Sequence, residues 1–188
     1  YLSVEGNFYL FNLKAKIFTD QNITLEHFHN VRDIKLVKSK DLIAILGVKK
    51  NSNGCGTLKL ESYKYKFSKN KLKIFDRNEL WESEQNCKFN SKTSGARVEY
   101  SNNIFYVSTG IFQSPVNSGI IKENWSQKNN SSFGKIIKIN SLTNKSEIFA
   151  KGFRNPQGLF FYKEKLLGTD HGPKGGDEIN IIKYNSNY

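Results

Sequence analysis

The sequence predicts an all-β fold, from three observations. Apolar and polar residues alternate over many short runs. Tight-turn signals separate those runs. Few windows hold apolar residues at helical period for 11 or more residues, so helices of ordinary length are not expected. Strands at such short, regular spacing imply a sandwich, a barrel or a propeller.

Phe8-Tyr9-Leu10-Phe11 and Asp41–Leu46 open the series. Thr57–Phe67 alternates on Leu58 and Leu60, then changes phase to Tyr63, Tyr65 and Phe67. That one-residue change implies a β-bulge near Ser62, or a strand buried on both faces. Further strands are expected at Arg97–Tyr100, Ile104–Ser108, Lys135–Ile139, Glu147–Ala150, Leu159–Tyr162, Lys165–Leu167 and Glu178–Tyr184, each rich in Ile, Val, Phe or Tyr. Turns are expected at Ser101-Asn102-Asn103, Asn140–Asn144 and Lys163-Glu164. Gln21–Val31 and Glu79–Glu84 have room for a helical turn at most. From Ile111 to Ser132 the alternation stops and Gln, Ser, Asn and Gly accumulate, as in a functional or mobile loop. Trp125 in this segment is read as an anchor for the loop in preference to a sugar-stacking platform.

The chain has 188 residues, 37% of them hydrophobic and 24% charged, enough apolar material for a core. No apolar window reaches membrane-spanning length, and no signal peptide is visible. Met is absent, and Asn185–Tyr188 reads as the middle of a turn, so a piece cut at both ends is expected. The net charge of +12 raises nucleic-acid binding. Against it, only Arg32, Arg77, Arg97 and Arg154 are arginine, and Lys is spread thinly. A Lys-, Asn- and Ile-biased composition with Lys on solvent faces explains the charge better than a polyanion or an acidic partner. Cys55 and Cys87 lie in no zinc-binding pattern. A disulfide between them, implying an oxidising compartment, is favoured over two buried thiols.

Two loops carry the chemistry. Gly152-Phe153-Arg154-Asn155-Pro156-Gln157-Gly158-Leu159 places an Arg, two amides, a Pro and a Gly in a tight loop before a strand. The Arg fork suits an anionic ligand at a strand end, and equally suits a structural turn paired with a carboxylate. Thr169–Asn180 contains Gly172, Pro173, Gly175, Gly176, Asp177 and Glu178. Freed carbonyls and carboxylates of this kind suit a hard cation such as Ca²⁺, although the spacing is not an EF-hand.

The two motifs, in this order and spacing, resemble the soluble PQQ-dependent sugar dehydrogenases, including the glucose/sorbosone and aldose sugar dehydrogenases. Phe133–Asn140 is similar to that family's Gly-Lys-Ile strand, and Gly95-Ala96-Arg97 with Tyr106–Gly110 to its preceding blade. The resemblance is strong over residues 133–188, fair over 93–132 and weak before 93. It implies a six-bladed β-propeller, with residues 1–188 a partial domain of about three blades and an incomplete cofactor site. It implies PQQ- and Ca²⁺-dependent oxidation of an aldose sugar, with an electron acceptor as second partner, in the periplasm or outside the cell. Neither nucleic acid nor a membrane span is implied. Arg154 and Asn155 match the residues that contact PQQ, with Arg154 polarising the reacting carbonyl. The carbonyls of Gly172 and Pro173 match the Ca²⁺ ligands. Asp177 and Glu178 match carboxylates that buttress the loop or hold a second ion. Asn30 falls, on a loose alignment, near a cofactor-contacting Gln.

Two departures stand out. The family's general-base His is replaced by Thr93, and the Asp that orients it by Ile111. A hydroxyl is a poor base near neutral pH, so impaired turnover, or a catalytically silent ligand- or protein-binding module, is implied. His27 and His29 would lie on one side of a strand if extended. His29 is then a substitute base, although a pair of loop histidines is the better reading. Asn-x-Ser/Thr triplets are frequent in so Asn-rich a chain and imply nothing.

Overall fold

The computed structural model describes residues 1–87, 95–112, 125–172 and 175–188. The described residues fold into four stacked sheets. Strands β1 (Asn7–Asn12) and β2 (Ile17–Thr24) form a hairpin. β3 (Asn30–Val37), β4 (Leu42–Lys50), β5 (Gly56–Ser68) and β6 (Lys71–Glu82) form a four-stranded antiparallel meander. β7 (Arg97–Ser101), β8 (Ile104–Thr109), β9 (Lys135–Asn140) and β10 (Ser146–Lys151) form a second, and β14 (Ser186–Asn187) adds parallel to β10. β11 (Pro156–Tyr162), β12 (Lys165–Asp170) and β13 (Glu178–Ile182) make a three-stranded sheet. Consecutive up-and-down meanders packed face to face are the blade architecture of a β-propeller.

Period-2 side-chain alternation explains the stacking. In β4, Ala44, Leu46 and Val48 enter the core shared with the β7–β10 sheet. Ile43 and Ile45, between them, enter the core shared with Phe8, Leu25 and Phe28. In β9, Ile137 and Ile139 face the first of these cores, while Ile136 faces Phe153, Leu159 and Leu166 of the next sheet. Strands buried on both faces read as continuous apolar runs.

The phase change in β5 has both expected causes. Leu58 and Leu60 belong to one core and Tyr63 to the other. The β5–β6 register also shifts at Leu60/Glu61 and again at Ser62/Lys64. The two-residue hairpins carry their turn chemistry openly. Asn102 and Asn103 have φ of 50° and 64°, and Lys163 and Glu164 have 44° and 64°. That is the type I′ pattern, whose twist matches the flanking strands.

Four strands went unanticipated, among them the two-residue β14, which lies where Asn185–Tyr188 reads as a turn. β2 and β6 are largely exposed and polar, so they carry little alternation. β3 is interrupted by Arg32, Asp33 and Lys35. Gln21–Val31 and Glu79–Glu84 hold no helix; their regular parts are strand ends. Cys55 and Cys87 are joined in a disulfide. Closing a loop of that size stabilises the fold by about 3–4 kcal/mol in the chain-entropy view. Most lysines face solvent as expected, but Lys59 and Lys135 are buried. The polar segment after Ile111 lies largely outside the described residues. Trp125 meets Phe133 edge-on at 5.9 Å, with Lys128 Nζ over its ring, so it packs as an anchor.

Candidate cofactor and cation site

Arg154 and Asn155 sit in the turn between β10 and β11, and His171–Gly172 follow β12. The pairing of β11 with β12 places these two turns side by side at one end of the sheet, with Pro156 opposite Asp170. Asn155 is buried, and its side-chain oxygen accepts the Gly95 N–H at 2.8 Å. The Arg154 carbonyl accepts the Ile111 N–H, so the end of the β7–β8 hairpin reaches the same place.

Among the described residues, the Arg154 guanidinium pairs with no carboxylate. Its Nη1 donates to the carbonyls of His171 at 2.8 Å and Gly172 at 3.1 Å. Its other nitrogens make no hydrogen bond among the described residues, and the side chain is only partly buried. The fork is thus anchored by one corner, with donors left for an anion. Of the two readings open from the sequence, the carboxylate-paired turn finds no partner among the described residues.

Asp177 holds the second loop. Its Oδ1 accepts the Gly172 N–H at 3.1 Å and lies 2.9 Å from His171 Nδ1. Glu178 accepts from Asn180 instead. Glycine is obligatory at 172, since a Cβ there would lie 1.9 Å from the Gly176 carbonyl oxygen. At Gly95 a Cβ would lie 2.6 Å from the Pro156 carbonyl oxygen. These glycines permit close backbone approach around the Arg154 turn.

Two contributors went unnoticed in the sequence. Asp170 accepts both the Arg154 and the Asn155 backbone N–H. It stood inside the loop motif, but its partners lie 15 and 16 residues away. Lys135 is fully buried behind the turn and donates to the Trp125 and Phe133 carbonyls, both at 2.7 Å. Burial lowers its pKa to about 8, outweighing the opposite pull of Glu84, and Lys151 adds a smaller push in the same direction as burial. The Trp125–Gln127 turn that it holds is bonded to Gly152 through Ser126, and Gly134 accepts the Phe153 N–H. Lys135 therefore braces the back of the loop that carries Arg154.

Other sequence-derived residues lie elsewhere. His27 and His29 precede β3 and do not share a strand face. His27 is directed at Glu61, 2.8 Å away. His29 is exposed, with its backbone N–H on the Val48 carbonyl. Asn30 begins β3 and accepts from Arg32. Nothing described joins His29 or Asn30 to Arg154. Thr93 and Pro173 lie outside the described residues.

The donor set suits a hard cation in one way only. Among the described residues no three His, Cys, Asp or Glu side chains converge as a metal cluster. The Gly172 carbonyl is turned toward Arg154 and keeps a second lone pair. A cation held by neutral carbonyls alone is weakly held. An anionic cofactor beside Arg154 would supply the missing charge and ligands, so the residues fit PQQ and Ca²⁺ together better than Ca²⁺ alone.

Residues 38–188 match the family described as Glucose / Sorbosone dehydrogenase. The chain belongs to this family. Aldose sugar dehydrogenase YliI of Escherichia coli (strain K12) is 46% identical over 46 residues, 23% of this chain and 12% of that protein. Quinoprotein glucose dehydrogenase B of Acinetobacter calcoaceticus is 42% identical over 62 residues, 32% of this chain and 11% of that protein. Among solved structures, a glucose dehydrogenase superposes with a TM-score of 0.76 at 14% identity, covering 98% of this chain and 61% of that one. The soluble aldose sugar dehydrogenase from Escherichia coli in its apo-form gives 0.75 at 18%, covering 98% and 57%. These structural likenesses carry the fold, which is that of the family's β-propellers. The chain spans about three-fifths of those solved chains, and its matched segments span 12% and 11% of the curated relatives' length.

Proposed function

We propose that residues 1–188 form part of a longer sugar-dehydrogenase propeller that oxidises an aldose with PQQ and Ca²⁺. The observation that carries this reading is the convergence of the half-anchored Arg154 fork with the Gly172 carbonyl. PQQ, when bound, supplies the electrophilic carbonyl that accepts hydride from the sugar. Arg154 would bind the quinone's negative edge and stabilise charge arriving there. Asn155 holds its turn in place through Gly95. Gly172, with Pro173 beside it in sequence, would present carbonyl oxygen to Ca²⁺. Asp177 buttresses that loop through the Gly172 N–H, and Glu178 bonds Asn180 beside it. The reduced cofactor then needs an external electron acceptor. The Cys55–Cys87 disulfide supports a periplasmic or secreted location.

A second reading is supported by Thr93 and Ile111. With neither a His nor its orienting Asp in the family's base positions, the same face serves as a silent ligand- or protein-binding module. Dye reduction by full-length protein, reconstituted with PQQ and Ca²⁺ and offered a panel of aldoses, separates the two. The enzymatic reading expects slow turnover that rises in the Thr93→His, Ile111→Asp double variant. No turnover in either protein, despite bound PQQ, supports the silent module.

A further inference from the structure

Asp170 ends β12 and is 9% exposed. Both of its carboxylate oxygens are spent on consecutive amides, Oδ2 on Arg154 N–H at 2.8 Å and Oδ1 on Asn155 N–H at 2.7 Å. This is not a ladder contact. β11 begins only at Pro156, and its register with β12 shifts before Gly158. Where the strands stop pairing, two N–H groups need acceptors, and the carboxylate supplies them.

The clamp closes a circuit. From the clamped peptide, the Arg154 side chain returns to the His171 and Gly172 carbonyls. The Asn155 carbonyl accepts the His171 N–H at 3.2 Å. Arg154–Asn155 and Asp170–Gly172 are thus joined in both directions. We propose that Asp170 is a positioning residue that locks the Arg154–Asn155 turn to the Gly172 loop, so that the cofactor fork and the cation-facing carbonyl are set as one unit. This rests on the PQQ and Ca²⁺ reading of the site.

Asp170→Asn tests it, because the amide keeps the shape but has one acceptor oxygen for two N–H groups. PQQ is titrated into full-length wild-type and variant protein, with and without Ca²⁺, and melting temperatures are measured in parallel. The clamp predicts PQQ affinity lower by roughly tenfold to a hundredfold, as for other residues that orient a site's ligands, and a smaller gain from Ca²⁺. A lowered melting temperature with unchanged PQQ affinity and unchanged Ca²⁺ dependence would overturn it. Should the variant not fold, amide exchange in the wild-type protein decides. Arg154 and Asn155 N–H should both be protected without cofactor, and rapid exchange of either contradicts the clamp. Wild-type protein that binds no PQQ sinks the functional reading instead, and the exchange result still stands for or against the clamp.

Discussion

Arg154 is the residue on which the site turns. One corner of its guanidinium is bound to two carbonyls, and the rest is available. Arg154→Ala should weaken PQQ binding by about 1.5–3 kcal/mol, the range for hydrogen bonds to charged groups. The melting temperature should change little, since a partly exposed loop side chain leaves no cavity in a core. Unchanged affinity with a lowered melting temperature would show that Arg154 serves the loop alone. Arg154 and Asn155 were legible in the sequence because Gly, Pro and Arg around them form a local motif. Asp170 and Lys135 were not, for a physical reason. Their partners are backbone groups brought in by strand pairing and by a distant turn, and backbone groups leave no mark on residue identity.

At the scale of elements, the same rule separates what was read from what was missed. β4 and β9 were visible because both faces are buried. β2 and β6 were hidden because exposure removes the selective placement of apolar residues. β5 adds a feature no periodicity shows. Its Glu61 is fully buried, bonded by Arg77, Tyr63 and His27, with Lys59 Nζ 3.6 Å away. Burial alone would raise the carboxyl's pKa, but the bonds from Arg77, Tyr63 and His27 outweigh it and bring it to about 2. A folded pKa below the unfolded value means stability that is full above about pH 4.5 and lost as pH falls through about 2. The loss amounts to about 3 kcal/mol. Denaturation midpoints across that window should therefore fall more steeply for wild type than for Glu61→Gln. Parallel profiles would mean that the network does not hold the carboxylate ionised.

At the scale of the molecule, stacked meanders bring the Gly95 segment, the Arg154 turn and the Gly172 loop to one place, although they are far apart in sequence. The all-β class and the blade-like rhythm were readable from alternation and turn residues. The stacking order was not, because the sequence marks which residues are buried but not which sheet covers them. The charge of +12 gave little direction, as lysines such as Lys64, Lys66, Lys71 and Lys73 simply line solvent faces. On the proposed function, the Arg154 fork and the Gly172 carbonyl together receive an anionic quinone and a hard cation. Calorimetric titration of PQQ into the full-length protein, with Ca²⁺ present and then chelated, tests it most directly. Saturable binding at one site per chain is expected, weakening strongly when Ca²⁺ is removed. Absence of PQQ binding in the presence of Ca²⁺, or binding indifferent to it, would contradict the account.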